Sequence, residues 1–107
     1  MEGNELLPGT LEMLILKTLS RGANHGYGIA QHIRSVSEDA LKIGEGSLYP
    51  ALQRILVNGW VAAEWGVSET NRKVRIYKLT AAGKRRLTEE RRTFDAMILA
   101  IGKVMEA

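Results

Sequence analysis

Apolar residues recur along this chain at two different periods. Between residues 11 and 19, Leu11, Leu14, Ile15, Thr18 and Leu19 fall at helical spacing, and Met13 and Leu16 widen the face. The stretch Pro8-Gly9-Thr10 ahead of them predicts the start of a first helix, with Thr10 as N-cap and Glu12 close behind. Arg21-Gly22 predicts its end, and the breadth of its face predicts packing on more than one partner. The first five residues show no pattern. Residues 23–28 are glycine-rich and read as a turn, after which Ile29, Ala30 and Ile33 mark a second helix running to about Ser37. A connection over residues 37–44 leads to the segment from Glu45 to Leu56. There Leu48, Leu52, Ile55 and Leu56 form an inner face, while Ser47, Tyr49, Gln53 and Arg54 point largely outward. An interior proline would remove a backbone bond and clash, so Pro50 predicts a helix that begins just before it, capped by Ser47. Asn58-Gly59 predicts the end of that third helix.

The period then changes. Val61–Val67 reads as extended, residues 68–72 as a polar turn, and Val74–Leu79 as a returning strand rich in β-branched and aromatic residues. Thr80 is the expected N-cap of a last helix running to the C-terminus, roughly 40 Å long at about 1.5 Å per residue. Its first half is strongly charged, whereas Phe94, Met97, Ile98, Ile101, Val104 and Met105 form a broad apolar stripe in its second half. The chain is therefore expected to be mainly α with a small β-hairpin: a winged helix-turn-helix over residues 1–79 and a C-terminal dimerisation helix over 80–107. The stripe needs a cover, and a second copy in a homodimer is the expected one; folding back on its own domain is the alternative.

Composition narrows the class. A chain of 107 residues holds one domain with little spare mass for a catalytic one, and 45% hydrophobic with 25% charged residues is ordinary for a globular protein. The absence of cysteine excludes disulfides, thiolate metal sites and a cysteine nucleophile. The first residues lack the basic start of a signal peptide, and no apolar run is long enough to span a bilayer, so a cytoplasmic protein with no membrane association is expected. The net charge of +3 is mild, but its distribution is not. Nine Lys and Arg lie between Arg72 and Arg92 against two acids, leaving six basic and ten acidic residues elsewhere. A basic block beside a mildly acidic body predicts a surface that faces a polyanion.

Three helices followed by a hairpin with a basic tip is an arrangement that reads double-stranded DNA. The third helix would carry donors and acceptors into the major groove, and the hairpin would reach the adjacent backbone or minor groove with Lys73 and Arg75, joined by Arg72. Ser47 and Tyr49, near the helix start, are candidates for phosphate contact; Gln53 and Arg54 are candidates for base contact. Two helical heads related by a two-fold axis predict a palindromic operator. Other chemistries find little support. His25 and His32 have no ligand set around them, Ser47 has no base placed to activate it, and Gly26 and Gly28 lack the strand and lysine of a phosphate loop. No cofactor, no metal and no catalysis are expected. Trp60 is expected in the core, while Trp65 reads either as wing packing or as a stacking surface. A winged-helix protein-interaction module without DNA binding is the competing class, and the basic hairpin argues against it.

The segments GTLEMLILKTLSRGANHGYGIAQ and EGSLYPALQRI, the Gly59-Trp60 turn and the wing ending YKLTAAGK together resemble the PadR family of bacterial transcription regulators, over about residues 9 to 87. The resemblance implies a repressor whose DNA-facing set includes Ser47, Tyr49, Pro50 and the basic wing residues. It also implies the shorter branch of the family, dimerising through the last helix and the first, which adds Leu11 to the expected interface. Family members often repress genes of detoxification, phenolic-acid metabolism or efflux, and some bind aromatic or drug-like ligands between subunits. For this chain that implies an effector pocket built from Met13, Leu16, Phe94 and Ile98.

Overall fold

The computed structural model describes residues 9–107; Pro8 and the patternless first five residues lie outside the described residues. The elements run α1 (Thr10–Leu19), β1 (Asn24–His25), α2 (Gly26–Val36), α3 (Glu45–Val57), β2 (Val61–Val67), β3 (Lys73–Leu79) and α4 (Ala81–Glu106). Side chains of α1, α2 and α3 meet Val61, Tyr77 and Leu79 of the sheet in one core. Ile15, Leu16, Ile29, Leu48, Leu52 and Ile55 are fully enclosed there. Each contributes about 1.5–3 kcal/mol relative to an exposed side chain.

The hairpin is part of a three-stranded antiparallel sheet in the order β1-β3-β2. The two residues of β1, expected as turn, pair Asn24 with Tyr77 and His25 with Ile76. A strand this short leaves no periodic trace, and its partner lies far along the chain.

Three helix starts differ from expectation. Gly9 at φ +88°, not Thr10, is the N-cap of α1, and it offers no side-chain bond. Helix α2 begins at Gly26, inside the expected turn, because the His25 imidazole caps it: Nδ1 accepts the Gly28 N–H at 3.1 Å. Helix α3 begins at Glu45 after Gly44, so Ser47 is a helical residue and not the cap, and Pro50 is an interior proline. The bond that Pro50 cannot make would go to the carbonyl of Gly46. Both residues are exposed, so the carbonyl left without its helical donor lies at the solvent-facing side of the helix, where an interior proline costs least.

The end of α3 is as expected. Gly59 takes φ +78°, its N–H bonds the Leu56 carbonyl at 3.0 Å, and the Trp60 N–H bonds the Ile55 carbonyl at 3.0 Å. This reciprocal pair closes the last turn around a left-handed residue. Thr80 then starts α4: its Oγ1 accepts the Gly83 N–H at 3.0 Å and donates to the Gly59 carbonyl at 2.8 Å. The first half of α4 packs on α1, with Leu87 against the core. Its second half leaves the domain, and every residue from Asp95 to Ala107 is exposed. The apolar stripe therefore does not fold back on the described residues of its own domain. Leu11, expected at the same interface, is 8% exposed and belongs to the core of its own chain.

Candidate nucleic-acid interface

Helix α3 buries Leu48, Ala51, Leu52 and Ile55 and turns Ser47, Tyr49, Pro50 and Gln53 to solvent. Helical spacing makes Gly46, Pro50, Gln53 and Val57 the most outward stripe, with Tyr49 on one flank and Ser47 and Arg54 on the other. Tyr49 is 46% exposed, and its ring lies along Gly26 at the start of α2. A Cβ at Gly26 would stand 2.9 Å from Tyr49 Oη and Cε1, so the absence of a side chain there seats the ring. Arg54 differs from the rest of the set. Its Nε donates to Glu12 Oε2 at 2.6 Å, tying α3 to the first turn of α1.

Tyr27 belongs beside this helix, although the sequence placed it in a turn. It stands in the first turn of α2, exposed, and with Arg34, Lys42 and Tyr49 lines a groove of about 530 Å³ between α2 and α3. The available signal was helical spacing: with Ile29 and Ile33 inside, Tyr27, Gln31 and Arg34 share the outer face.

The wing turn is ordered by its own polar groups. The Ser68 N–H bonds the Arg72 carbonyl at 2.9 Å, the Arg72 N–H bonds Ser68 Oγ at 3.2 Å, and Asn71 takes the left-handed conformation at φ +63°. His25 Nε2 lies 3.4 Å from Glu69 Oε1, which joins the wing turn to the cap of α2. Because Nδ1 accepts from Gly28, the neutral ring carries its proton on Nε2 and donates it to Glu69. The Glu69 carboxyl is held below its ordinary value, first by hydrogen bonding to its own backbone and then by His25.

The nine-residue basic block of the sequence divides into two parts. On α4, Arg86 pairs with Glu89 and Glu90 and stands 4.5 Å over the Trp60 ring and Arg91 pairs with Asp95, whereas Lys84, Arg85 and Arg92 are exposed with no carboxylate at ion-pair distance among the described residues. Trp60 itself is half-buried against the core. On the wing, Arg72, Lys73, Arg75 and Lys78 are exposed, and among the described residues none has a carboxylate at ion-pair distance. Lys73 and Arg75 instead stand over the ring of Trp65.

A separate groove of about 750 Å³ runs between α1 and α4, lined by Met13, Leu14, Leu41, Leu87 and Phe94 with Lys17, Arg91 and Asp95 among its polar residues. Of the expected effector residues, Met13 and Phe94 line it. Leu16 does not, being fully enclosed in the core, and Ile98 lies one turn further along α4.

The profile of the transcriptional regulator PadR-like family matches residues 15–89. That span holds α2, α3, the wing and the start of α4 together. The chain belongs to the PadR-like family of transcriptional regulators. A transcriptional regulator of Mycobacterium tuberculosis is 33% identical over 73 residues, 68% of this chain and 64% of its own. Among solved structures, a transcriptional regulator from Clostridium thermocellum superposes with a TM-score of 0.81 at 27% identity, covering 89% of each chain. A PadR family regulator from Eggerthella lenta gives 0.76 at 29% identity, covering 92% of this chain and 84% of that one. This PadR-like chain is a regulator and not an enzyme, and membership implies DNA-binding regulation. No described helix is long and apolar enough to cross a membrane.

Proposed function

We propose that this chain is a homodimeric repressor that occupies a palindromic operator, with α3 in the major groove and the wing on the backbone. The observation that carries the reading is the outer face of α3. A helix whose inner side is fully buried in the core offers Ser47, Tyr49, Pro50 and Gln53 to solvent, rigidly held. Gln53 sits on the most outward stripe and is the base-reading candidate; Ser47 and Tyr49 are phosphate contacts. Arg72, Lys73 and Arg75 supply backbone contacts without neutralising partners nearby. Arg54, engaged with Glu12, serves this reading by holding α3 against α1. The exposed stripe of Met97, Ile98, Ile101, Val104 and Met105, with half-buried Phe94 at its start, joins the two copies, and the α1–α4 groove beside it accommodates a planar aromatic effector.

The test is binding to a duplex from immediately upstream of its own gene, followed by fluorescence anisotropy across a salt series. Gln53→Ala is expected to cost about 1–3 kcal/mol and to relax preference at one base position. Neutralising Lys73 and Arg75 together is expected to weaken all sequences alike and to lower the salt slope by roughly two. An unchanged slope would take the wing off the phosphates. For the effector, calorimetric titration with planar aromatics is the direct assay, since neither tryptophan lines the groove.

A further inference from the structure

Trp65 is a large aromatic side chain that the core does not use; it is 65% exposed on β2. It pairs directly across from Arg75 and lies diagonal to Lys73, so all three project from one face of the hairpin. Lys73 Nζ stands 4.9 Å from the centre of its ring and the Arg75 guanidinium carbon 5.9 Å. The nearby acids are turned elsewhere. Glu64 pairs across from Ile76 and so projects from the opposite face, and Glu69 is engaged with His25. The position opposite Arg75 is where a carboxylate would ordinarily hold a cross-strand cation. A carboxylate there would also cancel the charge that a phosphate must feel. An indole holds the cation through its ring quadrupole and carries no net charge. A guanidinium lying over a ring also keeps its edge N–H groups pointing outward.

We infer that Trp65 is a positioning residue for the wing, holding Lys73 and Arg75 on one face at full charge for a DNA backbone. This rests on the reading of the wing as a backbone contact. The experiment uses Trp65→Leu, Trp65→Phe and Trp65→Glu in the full chain, each also combined with Lys73→Ala and Arg75→Ala. Binding to the same upstream duplex is followed by anisotropy over a salt series, and hairpin integrity by the amide NMR shifts of β2 and β3. The expected result is a roughly three- to tenfold loss for Trp65→Leu with the salt slope retained, and near-complete rescue by Trp65→Phe. Trp65→Glu should lose more and lower the slope, because it holds the cations while cancelling them. In the chain lacking both cations, Trp65→Leu should change nothing further. An equal loss in both backgrounds would mean that the ring touches DNA itself, and no loss in the parent background would mean that it positions nothing; either overturns the inference. If neutralising the cations leaves binding unchanged, the backbone reading of the wing fails first, and the inference with it. One readout needs no DNA: with Trp60→Phe leaving a single indole, Trp65 emission should shift when Lys73 and Arg75 are neutralised. An unshifted spectrum overturns the contact.

Discussion

Replacing Gly83 by alanine sets helix preference against packing, and the structure says which effect wins. Gly83 lies in the first turn of α4, where alanine is the better helix former by up to about 1 kcal/mol. A Cβ built there stands 2.0 Å from the Trp60 carbonyl oxygen, 2.7 Å from Leu79 Cδ1 and 3.0 Å from the Trp60 carbonyl carbon. Leu79 can rotate away, but the carbonyl is backbone and already accepts the Thr80 N–H at 3.1 Å. Carbon–oxygen contacts of this kind sit at roughly 3.3–3.6 Å, so one of the two backbones has to retreat by roughly 1.3 Å. Forcing a group into a packed site costs about 1–3 kcal/mol, more where only backbone can move. The expected net loss is about 1–2 kcal/mol, a fall in Tm of roughly 5–15 °C for a domain of this size. Urea and thermal unfolding followed by circular dichroism at fixed protein concentration measure it. Gly46→Ala is the internal control, since nothing lies within 4 Å of a Cβ there and the same change should be neutral or stabilising. A Gly83→Ala chain as stable as the parent would refute the close approach of α4 to the Trp60 carbonyl.

Other perturbations separate the remaining contacts. Arg54→Ala removes the tie to Glu12 and should cost roughly 0.5–1 kcal/mol of stability, the pair being partly exposed, while operator preference stays the same; a changed preference at one base position would place Arg54 on DNA instead. Gly26→Ala should displace the Tyr49 ring and weaken operator binding several-fold with little change in Tm, whereas an unaffected affinity would remove Tyr49 from the interface. Ile98→Asp with Ile101→Asp should give a helical monomer by sedimentation with much reduced operator affinity; a persistent dimer would show that the α4 stripe is not the joint. Glu69 has a folded pKa below its ordinary 4.5, so its stabilising contribution is complete above that value and is lost as pH falls through the folded one. Protection of the wing-turn amides against hydrogen exchange, taken relative to the intrinsic rate at each pH, should fall as the pH drops below about 4.5, and Glu69→Gln should abolish that acid step.

Much of this architecture is legible in the chain because its elements carry strong local signals. The ends of α3 and β2, the wing turn and the Thr80 cap all coincide with residues whose backbone or side-chain chemistry favours them. What escaped has a common physical origin in partners distant along the chain. His25 reads as a turn residue until β3 is seen to pair with it, and only then does its imidazole cap α2. Arg54 reads as a groove-facing cation because helical periodicity places it outside, yet Glu12, an acid on another helix, takes it. The basic block reads as one surface because sequence counts charges, whereas folding splits it between the wing and α4 and pairs two of its cations, Arg86 and Arg91, with acids along α4. Pro50 misled in a different way: an exposed interior proline leaves its orphaned carbonyl at the solvent-facing side of the helix, so it does not have to mark the helix start.

The Trp60 turn connects the two ends of the regulator. Its N–H closes α3 through the Ile55 carbonyl, its carbonyl accepts the Thr80 N–H and presses against Gly83, and its ring underlies Arg86 of α4. The last turn of α3 and the first turn of the helix that carries the apolar stripe are therefore built on one residue. Neither can change direction without breaking a backbone hydrogen bond or opening the Gly83 contact. The α1–α4 groove lies further along α4, between Leu87 and Phe94 of that helix and Met13 of α1. A molecule that pushed those helices apart would act on a lever whose other arm is α3. In the proposed two-fold pair joined along α4, a small rotation there would change the separation of the two α3 helices, which on that reading would enter successive major grooves roughly 34–36 Å apart. On the proposed reading of a two-fold pair with an effector in the groove, occupancy would change half-site spacing without requiring α3 itself to deform.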